Sequence, residues 1–185
     1  LSENIEKHSP TLARDAQYVK SMAITRLPGY ITIQMVRFHF KQKEAVNAKV
    51  LKDVKFPVML DMFEMCGKEL QDKLRPRRTE FKAYEDWLVD QASTVKGKGK
   101  TEAMRAEREA QDGDENEDWF FSDDVGSSNS GYYVLQAVLT HKGRSSNSGH
   151  YVGWVRQKGD TWLKCDDDEV SPVHEEDVLK LSGGG

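Results

Sequence analysis

Between Tyr30 and Phe40 the chain places Ile31, Ile33 and Met35 on one face and then changes parity at Val36. Such a run, rich in β-branched and aromatic residues, predicts a strand that is bulged or buried on both faces. A Lys-rich connection from Lys41 to Lys55 leads to a second short strand, Val54 to Leu60, whose Pro57 favours a sheet edge. Glu64 to Val89 carries Leu70, Leu74, Phe81, Tyr84 and Leu88 at spacings of three and four, predicting a helix with a break at Pro76. Residues 1–20 mix polar and apolar types around Ser9-Pro10 and read as helix or irregular structure. Beyond the loop Gly126 to Gly131 the pattern becomes regular β structure. Tyr132 to His141 is one expected strand, Gly143 to Gly149 a flexible loop, and His150 to Arg156 with Thr161 to Asp166 a hairpin. Glu175 to Leu181 is expected as a short helix whose first turn is acidic, as the helix dipole favours.

Between Lys96 and Asp118, 13 of 23 residues are charged, too many for the segment to bury enough surface to offset its ordering entropy. It reads as a solvated surface insert. The whole chain of 185 residues suits one domain. With 27 Lys+Arg against 31 Asp+Glu the net charge is −4, so nucleic acid is not an expected partner. Nor is a membrane, because no apolar run approaches the roughly 18 residues of a bilayer span. Cys66 and Cys165 lack the spacing of a disulfide framework or a zinc site, so no metal and no cofactor is expected. The chain opens on Leu1 and closes on Gly183-Gly184-Gly185, which suggests a piece of something longer.

The hairpin offers the first chemistry. With Gln157-Lys158-Gly159 as a three-residue turn, Arg156 pairs with Asp160, Trp154 with Trp162, Val152 with Lys164, and His150 with Asp166. A carboxylate facing an imidazole fixes its tautomer and leaves the other nitrogen to take a proton from a nucleophile. An ordinary cross-strand polar pair gives the same pattern, though Gly149 and the small-residue loop before it leave room for a substrate chain. Cys165 alternates onto the face of Tyr151, away from His150, and reads as a packed side chain. Cys66 has no histidine in its local pattern, and Ser145, Ser146 and Ser148 lack the strand-to-helix elbow that activates a serine. His141 reads as a structural hydrogen-bonding residue.

Five spaced elements then form a recognisable set: Leu27-Pro28 leading to Arg37-Phe38; Tyr133-x-Leu135-x-Ala137-Val138; His141-x-Gly143; Gly149-His150-Tyr151-Val152; and Trp162-x-Lys164-x-Asp166-Asp167-x-x-Val170. Together they resemble the C-terminal signature of the ubiquitin-specific proteases. The run Val46 to Pro57 further resembles the proteasome-associated ubiquitin-specific protease 14 subfamily, represented in yeast by Ubp6.

The resemblance implies an α+β, papain-like cysteine protease fold, of which residues 1–185 form the β-rich palm, with the insert at 96–118 and without the helical thumb. It implies thiol-dependent cleavage after the C-terminal glycine of ubiquitin, with His150 as base, Asp166 as its orienting acid and Asp167 in support. The nucleophilic cysteine and oxyanion asparagine would lie outside the chain, as would the strand that follows the short helix. Gly143, Arg144, Ser145, Ser146, Asn147, Ser148 and Gly149 would gate the substrate tail, with Lys41 to Lys55 as a second wall. Expected partners are ubiquitin, ubiquitinated proteins and the proteasome regulatory particle, and the expected location is cytoplasmic, extending to the nucleus. The alternative is a non-catalytic palm module that binds ubiquitin or another partner.

Overall fold

The computed structural model describes residues 2–94, 119–145 and 148–181; the charged insert at 96–118 lies outside them. The chain forms two interleaved units, one of Leu1–Tyr30 with Asp61–Tyr132 and the other of Ile31–Leu60 with Tyr133–Gly185.

The first unit begins with a hairpin of β1 (Ser2–Ser9) and β2 (Arg14–Ser21), paired in register over all eight positions. This corrects the expectation of helix or irregular structure. Its only apolar cross-strand pair of any size is Ile5 with Tyr18, while Glu3 faces Lys20 and His8 faces Asp15. The backbone ladder and these polar pairs define the ribbon, and the hydrophobic pattern leaves little trace of it.

Leu27 is fully buried in this unit, and the backbone around it is held by single bonds: Ser128 N–H donates to the Leu27 carbonyl and Gly29 N–H to that of Gly126. After a 3-10 turn at Phe63–Met65, helix α1 runs continuously over Lys68–Thr94 and buries Leu70 and Leu74. Pro76 lies inside it without the expected break. Proline removes one backbone donor, but here the helix is anchored on both sides, by Leu74 and by Arg78. The Arg78 guanidinium grips both oxygens of Asp61 at 2.9 and 2.6 Å and donates to the Ser130 carbonyl at 3.2 Å. Its Cζ lies 4.4 Å from the Phe63 ring centroid and 4.2 Å from that of Tyr132. Strands β6 (Phe120–Phe121) and β7 (Asp124–Ser128) pair beside it and complete the unit.

Replacing Arg78 by methionine is expected to cost about 2 kcal/mol, less than a fully buried pair because Asp61 is partly solvated. Lysine should rescue poorly, since it can neither fork onto the carboxylate nor stack between rings. Burial pushes the Asp61 carboxyl up, but Arg78 and the Phe63 N–H overcome this and hold it below its ordinary value. The clamp therefore stabilises the fold above the ordinary carboxylate range and is lost as pH falls through the lowered value. Thermal melts of the full-length protein from neutral to acid pH check this: wild type should lose its advantage over Arg78→Met on acidification.

In the second unit, β3 (Phe38–Lys41) and β4 (Val46–Lys49) form a hairpin. The strand expected from Tyr30 is regular only from Phe38, and the one expected over Val54 to Leu60 shortens to β5 (Met59–Asp61). The expected Tyr132 to His141 strand divides into β8 (Tyr132–Val134) and β9 (Ala137–Ser145), because Leu135 N–H turns to the Val58 carbonyl. Strand β9 joins β10 (Ser148–Lys158), β11 (Thr161–Asp166) and β12 (Glu169–His174) in an antiparallel sheet of order β12-β11-β10-β9. Strand β12 was not anticipated; its Pro172 is accommodated because β12 is an edge. Helix α2 (Glu175–Leu179) follows, and Val178, Trp162 and Val152 are the unit's buried apolar side chains among the described residues.

Candidate active site

The β10–β11 hairpin turns differently from the three-residue expectation. Lys158 pairs with Thr161 around the two-residue turn Gly159-Asp160, with Gly159 at φ +59°, and a bulge follows at Arg156. Positive φ at the first turn position is the type II′ pattern, for which glycine is suited. Trp154 consequently pairs with Lys164 and Arg156 with Trp162, a slip of two residues from the predicted register. A two-residue slip preserves the face. His150 and Asp166 remain on the same side of the sheet, now diagonal, a separation long side chains can bridge.

They do bridge it. His150 Nε2 lies 2.5 Å from Asp166 Oδ1, so Nε2–H donates to the carboxylate and Nδ1 is the ring nitrogen that the carboxylate does not engage. The other carboxylate oxygen, Oδ2, is 2.6 Å from Lys164 Nζ. Lys164 first and His150 second hold Asp166 below its ordinary pKa. The imidazole is pushed up, mainly by its hydrogen bond to Asp166 and then by the charge of Asp167. Asp167 opens the turn between β11 and β12 at φ +56°, a left-handed conformation that Asp tolerates better than most residues. There its Oδ2 comes within 3.8 Å of His150 Nδ1.

His150, Asp166 and Asp167 also place three potential metal-ligand atoms within 4.8 Å of one another. The 2.5 Å between Nε2 and Oδ1 is a hydrogen-bond length.

The backbone of His150 is fixed from behind. Gly149 sits at φ +153° against the His141 ring, which also contacts Tyr151 at 4.7 Å and Phe38 at 5.8 Å between centroids. Lys49 donates from β4 to the carbonyls of His141 and Gly143 at 2.9 and 2.8 Å. The segment Gly143 to Gly149, expected as a loop, is instead largely strand: β9 reaches Ser145, β10 starts at Ser148, and these two residues pair. Gly143, Arg144, Ser145, Ser148 and Gly149 belong to the two strands, while Ser146 and Asn147 lie outside the described residues.

Neither cysteine is set up as a nucleophile within this chain. Cys66 is buried, donates its thiol to the Met62 carbonyl at 3.2 Å, and burial pushes its pKa up. Cys165 pairs with Gly153, on the face opposite to His150. Lys164 was overlooked at the sequence level, although a residue two before Asp166 on a strand necessarily shares its face. Nothing in the sequence pattern signals Lys49.

The description of a known family, ubiquitin carboxyl-terminal hydrolase, matches residues 4–183, nearly the whole chain and both halves of the His150–Asp166 pair. The chain belongs to that family. It is 42% identical over its whole length to ubiquitin carboxyl-terminal hydrolase 14 of Caenorhabditis elegans, covering 37% of that protein. Its identity to ubiquitin carboxyl-terminal hydrolase 6 is 40% for Arabidopsis thaliana and 37% for Schizosaccharomyces pombe, covering 40% and 42% of those proteins. The chain thus stands close to the hydrolase 14 and 6 group and spans about two fifths of these relatives. Its fold is similar to that in the SAGA Ubp8/Sgf11/Sus1/Sgf73 DUB module bound to ubiquitin aldehyde, with TM-score 0.55 at 21% identity over 97% of this chain and 29% of the other. The antiparallel sheet with its few helices is the palm portion of that fold.

Proposed function

We propose that this hydrolase chain supplies the base and orienting acid of a thiol deubiquitinase, and that a cysteine elsewhere in the full-length protein supplies the nucleophile. The observation that carries the reading is the His150–Asp166 contact through Nε2. Nδ1 takes the thiol proton as the thiolate attacks the carbonyl of ubiquitin's C-terminal glycine, and Asp166 stabilises the imidazolium that forms. The imidazolium then protonates the leaving amine, giving a thioester. In the second half His150 removes a proton from water, which attacks the thioester and releases ubiquitin and the thiol. Asp167, beside Nδ1, supports the site by adding negative charge where the imidazolium is formed.

Ubiquitin and ubiquitinated proteins as substrates are supported by the relatives' names and by the ubiquitin-bound DUB module. The proteasome as partner, and a cytoplasmic and nuclear location, rest on the likeness to the hydrolase 14 group. The isolated 185 residues should not hydrolyse a fluorogenic amide of ubiquitin's C terminus, whereas the full-length protein should. Turnover by the isolated chain that Cys165→Ala abolishes would overturn the reading.

The end of the β9–β10 hairpin, with the Lys41 to Lys55 segment, is proposed as the gate on the substrate tail, because it leads directly into His150. In the full-length protein, changing Ser145, Ser146 and Ser148 to Asp should alter the rate of reaction with a ubiquitin active-site probe. Equal rates, with and without a proteasomal partner, would remove the gate.

A further inference from the structure

One face of the sheet carries an unbroken line of polar contacts that ends at the base. Thr140 on β9 donates its hydroxyl to the Val152 carbonyl at 3.2 Å and receives the Trp154 indole N–H at 3.1 Å. Trp154, fixed in this way, is the cross-strand partner of Lys164, whose ammonium lies 5.9 Å from its ring centroid. Lys164 reaches on to Asp166 Oδ2, and Asp166 Oδ1 meets the imidazole. The Lys164 and Asp166 side chains are only 34% and 30% exposed, so the contact is better sheltered than an ordinary surface ion pair.

A carboxylate held at one oxygen only can rotate about its Cβ–Cγ bond, and the direction of the oxygen facing the imidazole drifts with it. A carboxylate held at both oxygens cannot. We propose that Lys164 is a positioning residue for the reaction: it fixes Asp166 so that Oδ1 stays aimed at His150, and its positive charge limits how tightly Asp166 retains the imidazolium. This rests on the reading of His150 as the base. The charged groups facing His150 are Asp166 from β11, Asp167 from the following turn and Lys142 from β9; Asp166 in turn faces Lys164 and stands opposite Glu169 of β12. Removing Lys164 takes a cation from this set and leaves both aspartates, so the imidazolium gains stability. Removing the Asp166 charge does the reverse.

The test uses the full-length protein and a fluorogenic amide of ubiquitin's C terminus. Lys164→Met, which keeps the stem over Trp154, should lower kcat about tenfold, below the ~10²-fold that ångström-scale misplacement of a reacting group brings, with KM unchanged. It should also move the limb of the pH profile that reports His150 to higher pH, whereas Asp166→Asn moves the same limb lower. Lys164→Arg, which retains the cation, should stay close to wild type in both respects. In an Asp166→Asn background Lys164→Met should lower kcat no further, because the carboxylate it aims has been removed. If melting shows that the methionine variant is unfolded, Lys164→Gln carries the same expectations. Wild-type kcat and pH profile in Lys164→Met, or an equal effect in the Asp166→Asn background, would overturn the proposal. Full activity in His150→Ala would instead overturn the assignment of the base, so the two failures are distinguishable.

Discussion

His150→Ala in the full-length protein should lose about 10⁴-fold in kcat, the scale of loss for a member of a catalytic triad. Its neighbours on the same face are poor substitutes: Asp166 is held ionised by Lys164 with its pKa lowered, too weak a base, and Lys164 is a cation. Asp166→Asn should retain more activity, because the imidazole is still present although its tautomer and direction are no longer enforced. The two variants differ in a second observable. Asp166 is the main cause of the raised His150 pKa, so the asparagine variant should bring the imidazole titration down toward its ordinary value. An NMR titration of a ring proton, compared with the pH profile of kcat, reads this directly. The pair also leaves a mark on stability. The imidazole's share is fully present below its ordinary value of 6.5 and is lost as pH rises through the raised folded value. The carboxylate's share is present above its ordinary 3.8 and is lost as pH falls through the lowered folded value. Wild-type turnover in His150→Ala would refute the assignment.

The second large effect is expected from one methyl group. A Cβ on Gly149 would collide with the His141 ring and come within 2.8 Å of the Lys142 carbonyl, at a φ of +153° that L-residues rarely adopt. The Lys142 carbonyl is backbone, so it cannot swing aside as a flexible side chain does. Gly149→Ala should therefore cost about 1–3 kcal/mol of stability, the usual range for overpacking, and roughly 10²-fold in kcat through displacement of the adjacent His150. His141→Ala removes a ring packed on Phe38 and Tyr151 and should act through the melting temperature. Combining it with Gly149→Ala should restore only part of the loss, since the Lys142 carbonyl and the backbone conformation remain. A Gly149→Ala enzyme with wild-type kcat and melting temperature would show that the approach of β9 to this glycine does not hold the base in place.

The contact between His150 and Asp166 was legible in the sequence for a reason that survives an error in register. Strand side chains alternate with period two, so a slip of two residues shifts His150 from directly opposite Asp166 to the diagonal without moving either off its face. The slip itself was not legible, because it depends on Gly159 opening a two-residue turn and on a bulge at Arg156, choices made by backbone geometry. The ribbon of β1 and β2 was missed because its pairs are largely polar and its apolar residues too few to set a period. Strand β12 carries Pro172, which argues against a central strand and is silent about an edge. The long helix was readable from its leucines, but the guanidinium that lets it continue past Pro76 works through Asp61, Phe63, Ser130 and Tyr132, which no local window contains.

The interleaving of the two units sets an order on synthesis. By the time Tyr132 has been added, every residue of the first unit exists, whereas the second has only Ile31–Leu60 and must wait for the whole of its four-stranded sheet. Lys49 finds its acceptors at His141 and Gly143 across more than ninety positions, so the nascent β3–β4 hairpin stays uncommitted until the carboxyl-terminal strands emerge. Within residues 1–185, His150 and Asp166 are thus brought together late. A chain interrupted before Asp166 has no carboxylate to meet the imidazole of His150.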